Sequence, residues 1–63
     1  MSFLAEREKA KKTQLEVARH MNVTPGAVSQ WETGYSAPKM ERLIKLAEFY
    51  GCTVDDLLKE DRA

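Results

Sequence analysis

Two helix-sized segments in this chain are separated by only three residues, and that spacing constrains the fold more than anything else in the sequence. The stretch runs from Gln14 to Trp31, QLEVARHMNVTPGAVSQW. Thr13 stands at a cap position with Glu16 three residues on, the pattern in which a hydroxyl and a carboxylate each satisfy a backbone amide at a helix start. Leu15 and Ala18, and Val17 and Met21, then recur at helical spacing. Asn22 tolerates the left-handed backbone that ends helices. Thr24-Pro25 starts the next one, because threonine caps well and a proline at the first helical position gives up an N–H that would be orphaned anyway. Helices are therefore predicted over Gln14–Met21 and Pro25–Thr33, the second stopped by Gly34. So short a connection forces a steep crossing. Ala18 is small where the helices approach most closely, and Val17, Met21, Val23, Val28 and Trp31 are apolar at positions that face a shared core.

The flanks supply three more helices. Ser2 is placed to cap one from Phe3 to about Lys11. Tyr35-Ser36-Ala37-Pro38 is a short loop, and Pro38 opens a fourth helix to Tyr50 whose apolar side carries Met40, Leu43, Ile44, Leu46, Ala47 and Tyr50. Gly51 ends it, and Thr53 with Asp56 starts a last helix through Leu57 and Leu58. No stretch reads as a strand. The expectation is an all-α, compact five-helix domain over residues 1–63, with the paired helices at about 14–33.

Several function classes drop out. A 63-residue chain hides only about 60% of its unfolded surface, so its apolar side chains are committed to one core and little is left for a catalytic pocket. Cys52 stands alone, which excludes an internal disulfide framework and a multi-cysteine metal site and leaves a small core residue. His20 has no second histidine or cysteine with which to share a metal. Ser29 has no histidine or lysine placed as a general base, and Asp55-Asp56 reads as the charged first turn of a helix. No enzyme, cofactor or metal is expected. No apolar run approaches the roughly 20 residues of a membrane-spanning helix, and no signal-peptide pattern is present, so the expected place is the cytoplasm, away from membranes.

Two helices joined as Gln14–Met21 and Pro25–Thr33 are form a helix-turn-helix. Further runs extend the pattern: Thr13-Gln14, Val28-Ser29-Gln30-Trp31-Glu32-x-Gly34, Pro38 four residues after Gly34, and Leu46-Ala47-x-x-Tyr50-Gly51-Cys52-Thr53-Val54-Asp55-Asp56-Leu57. Over roughly Phe3 to Leu58 the sequence resembles the Cro/CI-type family of phage repressors and xenobiotic-response-element regulators. The resemblance implies a lambda-repressor-like DNA-binding domain, usually dimeric on DNA, with its third helix in the major groove. The chain departs from the family at Glu6, where an apolar residue is common, and at Lys11-Lys12, where Gly followed by a hydrophobe is common.

A recognition helix presents donors and acceptors to base edges and keeps carboxylates away from phosphates. Pro25, Gly26, Ser29, Gln30 and Thr33, on the outward face of the third helix, are small or neutral and are the expected base contacts. Gln30 is the best reader, since its amide can bond adenine in bidentate fashion. Gly26 allows close backbone approach. Phosphate contacts are expected, by the resemblance, from Gln14, Thr24, Tyr35, Ser36, Lys39 and Arg42. Arg7 and Glu32 match a structural ion pair of relatives. Val54, Leu58 and Phe49 are candidates for a dimer interface, although the same three residues would also complete a small core.

The zero net charge, ten basic against ten acidic groups, divides unevenly. Residues 7–45 hold eight basic and four acidic groups, +4; Glu6 adds −1, and residues 46–63 hold two basic and five acidic, −3. Neutrality is thus a basic segment offset by an acidic one and does not count against nucleic acid. The expected function is a sequence-specific transcriptional regulator, a repressor, binding a palindromic operator in double-stranded DNA as a homodimer and controlled by its own concentration, by a protein regulator or by competition at the operator. The alternative is an antitoxin-like or antagonist protein-interaction module on the same fold.

Overall fold

The computed structural model describes residues 2–59, which form α1 (Phe3–Lys9), α2 (Gln14–Met21), α3 (Pro25–Thr33), α4 (Met40–Tyr50) and α5 (Val54–Leu58). No strand occurs among the described residues. Local chemistry sets most of the boundaries. The Thr13 hydroxyl accepts from the Glu16 N–H at 3.1 Å while the Glu16 carboxylate accepts from the Thr13 N–H at 2.8 Å, and Thr53 and Asp56 repeat this exchange at 3.0 and 3.1 Å. Thr24 caps α3 through the Ala27 N–H at 3.1 Å. Asn22, Gly34 and Gly51 end α2, α3 and α4 in the left-handed region, at φ 58°, 83° and 75°.

Two helix starts and one end differ from the sequence expectation. Ser2 makes no side-chain cap; its hydroxyl donates to the Lys59 carbonyl at 2.9 Å and its N–H to the Leu57 carbonyl at 3.0 Å, which ties the start of α1 to the end of α5. Helix α1 stops at Lys9, two residues early, because Lys11 turns left-handed at φ 57°. Helix α4 starts at Met40, since Lys39 is still extended at ψ 163° and serves as its N-cap through a carbonyl that accepts from the Leu43 N–H.

The core draws on every helix. Phe3, Val17, Ala18, Met21, Val28, Trp31, Leu43, Leu46, Ala47, Tyr50 and Leu57 are buried, with Val23, Ala27, Phe49, Cys52 and Val54 packed against them. At about 100° per residue, Leu43, Leu46, Ala47 and Tyr50 share an arc about 100° wide, which Ile44 overshoots and Met40 only borders. Those two are exposed, as is Leu15 on the far side of α2 from Val17 and Met21. Burial pushes the Cys52 thiol up, and the half-buried side chain packs against the core. No helix among the described residues is long and apolar enough to cross a membrane.

Candidate nucleic-acid interface

Helix α3 separates its side chains cleanly. Val28 and Trp31 are buried, whereas Pro25, Gly26, Gln30 and Thr33 are exposed and Ser29 is half-buried. The one carboxylate of α3, Glu32, is turned away from solvent. Arg7 holds it with a two-pronged grip, Nε to Oε2 and Nη2 to Oε1 at 3.3 Å, and the third guanidinium nitrogen, Nη1, donates to the Lys12 carbonyl at 2.9 Å. Hydrogen bonding to Glu32 raises the Arg7 pKa. The pair therefore fixes α3 to α1 and the α1–α2 turn to both, which is the structural role expected of these two residues.

Gln14 joins the same cluster. Its Nε2 donates to Glu32 Oε1 at 2.8 Å, which commits one amide N–H to the protein and leaves the second uncommitted beside the first turn of α2. Eighteen residues separate Gln14 from Glu32. No local signal in the sequence announces that bond.

Around α3 the expected phosphate-binding groups are accessible. Thr24 is exposed at the N-terminus of α3, Tyr35 is 82% exposed in the following loop, and Lys39 and Arg42 are exposed. Lys39, Glu41 and Arg42 line a shallow depression of about 270 Å³ at the start of α4. Ser36 is half-buried, and its hydroxyl donates to the Gln30 side-chain carbonyl at 3.3 Å. This bond, too, has no sequence signature.

The apolar candidates for a dimer contact separate. Phe49 is engaged within the chain: its ring stacks on His20 with centroids 3.9 Å apart and planes 10° from parallel, and the Lys12 ammonium lies 4.9 Å from its centroid. Val54 packs against the core, and only Leu58, 44% exposed, offers a large apolar side chain to solvent. His20 is exposed as expected, but it covers Phe49. Among the described residues no group of three His, Cys, Asp or Glu side chains could hold a metal ion, and every buried side-chain polar atom has a partner.

Five helices around one core, with two of them crossing through a three-residue turn and the second presenting a carboxylate-free face, define a lambda-repressor-like domain of the DNA-binding class. A helix-turn-helix family model matches residues 4–57, and the chain belongs to this Cro/CI-type helix-turn-helix family. It is similar to the HTH-type transcriptional activator BcrR of Enterococcus faecalis, 39% identical over 46 residues, covering 73% of this chain and 22% of that protein. It is also similar to the HTH-type transcriptional regulator ImmR of Bacillus subtilis (strain 168), 36% identical over 55 residues, 87% of this chain and 43% of that protein. Repressor protein C2 of Salmonella phage P22 is 37% identical over 57 residues, 90% of this chain and 26% of that protein. The chain thus spans less than half the length of each of these relatives. No solved structure gives a significant match.

Proposed function

We propose that this domain binds double-stranded DNA sequence-specifically as a homodimer on a palindromic operator, with α3 in the major groove, and represses transcription by occupying that site. The observation that carries the reading is the exposed face of α3: Pro25, Gly26, Ser29, Gln30 and Thr33 present hydroxyl, amide and backbone groups, while Glu32 is drawn inward and neutralised by Arg7. A helix about 10–12 Å across whose outward face carries no carboxylate suits a groove about 12 Å wide. Base contacts come from that face, and phosphate contacts from Gln14, Thr24, Tyr35, Lys39 and Arg42 around it; the Ser36 hydroxyl, which donates to Gln30, is not counted among them. The relatives' names include an activator as well as a repressor, and the reading as a repressor follows the name of the phage protein.

The size of the molecule fits two half-sites. The domain measures 31 × 23 × 21 Å, so the centres of two copies placed end to end along the longest dimension lie about 31 Å apart, comparable with the roughly 34–36 Å of one DNA turn. Selection from a random duplex library tests the proposal. The expected product is an inverted repeat whose half-sites lie one turn apart, bound with an affinity that falls with salt at a slope near −0.9 per phosphate contact. No enriched motif, or binding indifferent to salt, would overturn it in favour of a protein-interaction module.

A further inference from the structure

We propose that Ser36 is a positioning residue for base recognition, holding the Gln30 amide in one orientation so that this side chain reads its base with a fixed arrangement of acceptor and donor. The inference rests on α3 reading DNA. It starts from the way the loop after α3 is fastened. Gly34, left-handed at φ 83°, folds the chain back so that its own N–H and those of Tyr35 and Ser36 point at the Gln30 carbonyl, the latter two at 3.0 and 3.4 Å. The Thr33 hydroxyl reaches the same carbonyl at 3.3 Å. Residue 36 is therefore anchored to the backbone of the residue whose side chain it touches. From that anchor the Ser36 hydroxyl donates to Gln30 Oε1 at 3.3 Å.

A serine hydroxyl has a single proton to donate, and here it goes to Gln30, so Ser36 cannot use it on a phosphate at the same time. The Gln30 carbonyl oxygen keeps a second lone pair and the amide keeps both N–H groups. Those are the groups that adenine requires, an acceptor for its N6 amino group and a donor for its N7. Unrestrained, an exposed glutamine samples many rotamers and can present its amide either way round; held by Ser36 from the loop side, its oxygen has a preferred place. The outcome is a difference between sequences. A phosphate contact, by contrast, strengthens binding to every sequence alike.

The test uses the tightest duplex recovered from a random library, together with its single-base-pair variants, and a double-mutant cycle of Ser36→Ala and Gln30→Ala in the full chain. Ser36→Ala is expected to reduce discrimination at the base pair read by Gln30 by about three- to tenfold, the worth of one neutral hydrogen bond, with an unchanged melting temperature. That loss should vanish in the Gln30→Ala background, and Ser36→Thr, which keeps the hydroxyl, should restore it. If Ser36→Ala weakens all duplexes equally, or acts identically with and without Gln30, the positioning role is overturned while base reading by α3 stands. If Gln30→Ala itself leaves every base preference unchanged, the base-reading assignment of Gln30 fails, and this inference with it.

Discussion

Replacing Gly26 by alanine sets stability against DNA affinity, and the structure fixes the sign of each. Gly26 is the second residue of α3, exposed, and outside the left-handed region. A Cβ built there meets only the Thr24 hydroxyl oxygen, at 3.8 Å, an ordinary contact. Nothing in the fold requires the glycine. Alanine should stabilise the domain by about 0.5–1 kcal/mol through the lower entropy of its unfolded chain. In a domain of this size that is a rise of about 2–8 °C in Tm. If the first turn of α3 lies against DNA, the added methyl group crowds that contact, and overpacking of about 1–3 kcal/mol weakens binding by roughly 5- to 150-fold. Calorimetric melting and fluorescence anisotropy with the selected duplex at one salt concentration measure both numbers on the same preparation. A lower Tm would refute the packing argument, and a higher Tm with undiminished affinity would refute the close approach of α3.

Removing one partner of the Arg7–Glu32 pair, with side chains 15% and 6% exposed, should cost about 3–5 kcal/mol, whereas replacing both together by Met and Leu should cost markedly less; urea titrations of the single and double variants decide. Lys11→Gly should stabilise by about 1 kcal/mol, because a lysine at φ 57° pays a left-handed penalty that glycine avoids, and a Tm that falls would contradict this. Acceptance of the Thr13 and Thr53 backbone N–H groups holds the Glu16 and Asp56 carboxyls below the ordinary carboxylate range. The unfolded chain therefore binds these protons more readily, so the stabilisation is complete above the unfolded pKa values near 4 and is lost as pH falls through the lower folded ones. Urea midpoints between pH 3 and 6 should show that loss, and Glu16→Gln, whose amide oxygen still accepts at any pH, should make it shallower.

What could be read in advance was whatever local chemistry determines. Thr13 with Glu16, Asn22, Thr24-Pro25, Gly34 and Thr53 with Asp56 each satisfy or free backbone groups within a few residues, and the boundaries of α2, α3 and α5 fall where those residues put them. The end of α1 depends on something more distant. Lys11 carries no signal for a left-handed turn, yet Arg7 must reach both Glu32 and the Lys12 carbonyl, and the turn forms around that grip. The family's common glycine at this position is the one hint, and the chain lacks it. Periodicity puts Met40 and Ile44 on the apolar side of α4, yet both are exposed, because it counts apolar residues without knowing which of them meet a facing helix. On the candidate site, the outward face of α3 was legible because polarity alternates with helical period, but the Gln14–Glu32 and Ser36–Gln30 bonds join residues that only the tertiary fold brings into register.

The bonds from Ser2 to Leu57 and Lys59 place the two ends of the described chain side by side. Topologically the domain is closer to a ring than to a line, so a short linker from residue 59 to residue 2 would close it without moving a helix, and new ends could be opened elsewhere by circular permutation. Any segment joined ahead of Ser2 and any joined behind Lys59 would leave from the same corner. Two appended modules would then be neighbours from the moment the domain folds, at an effective concentration set by their linkers and not by the length of the protein between them.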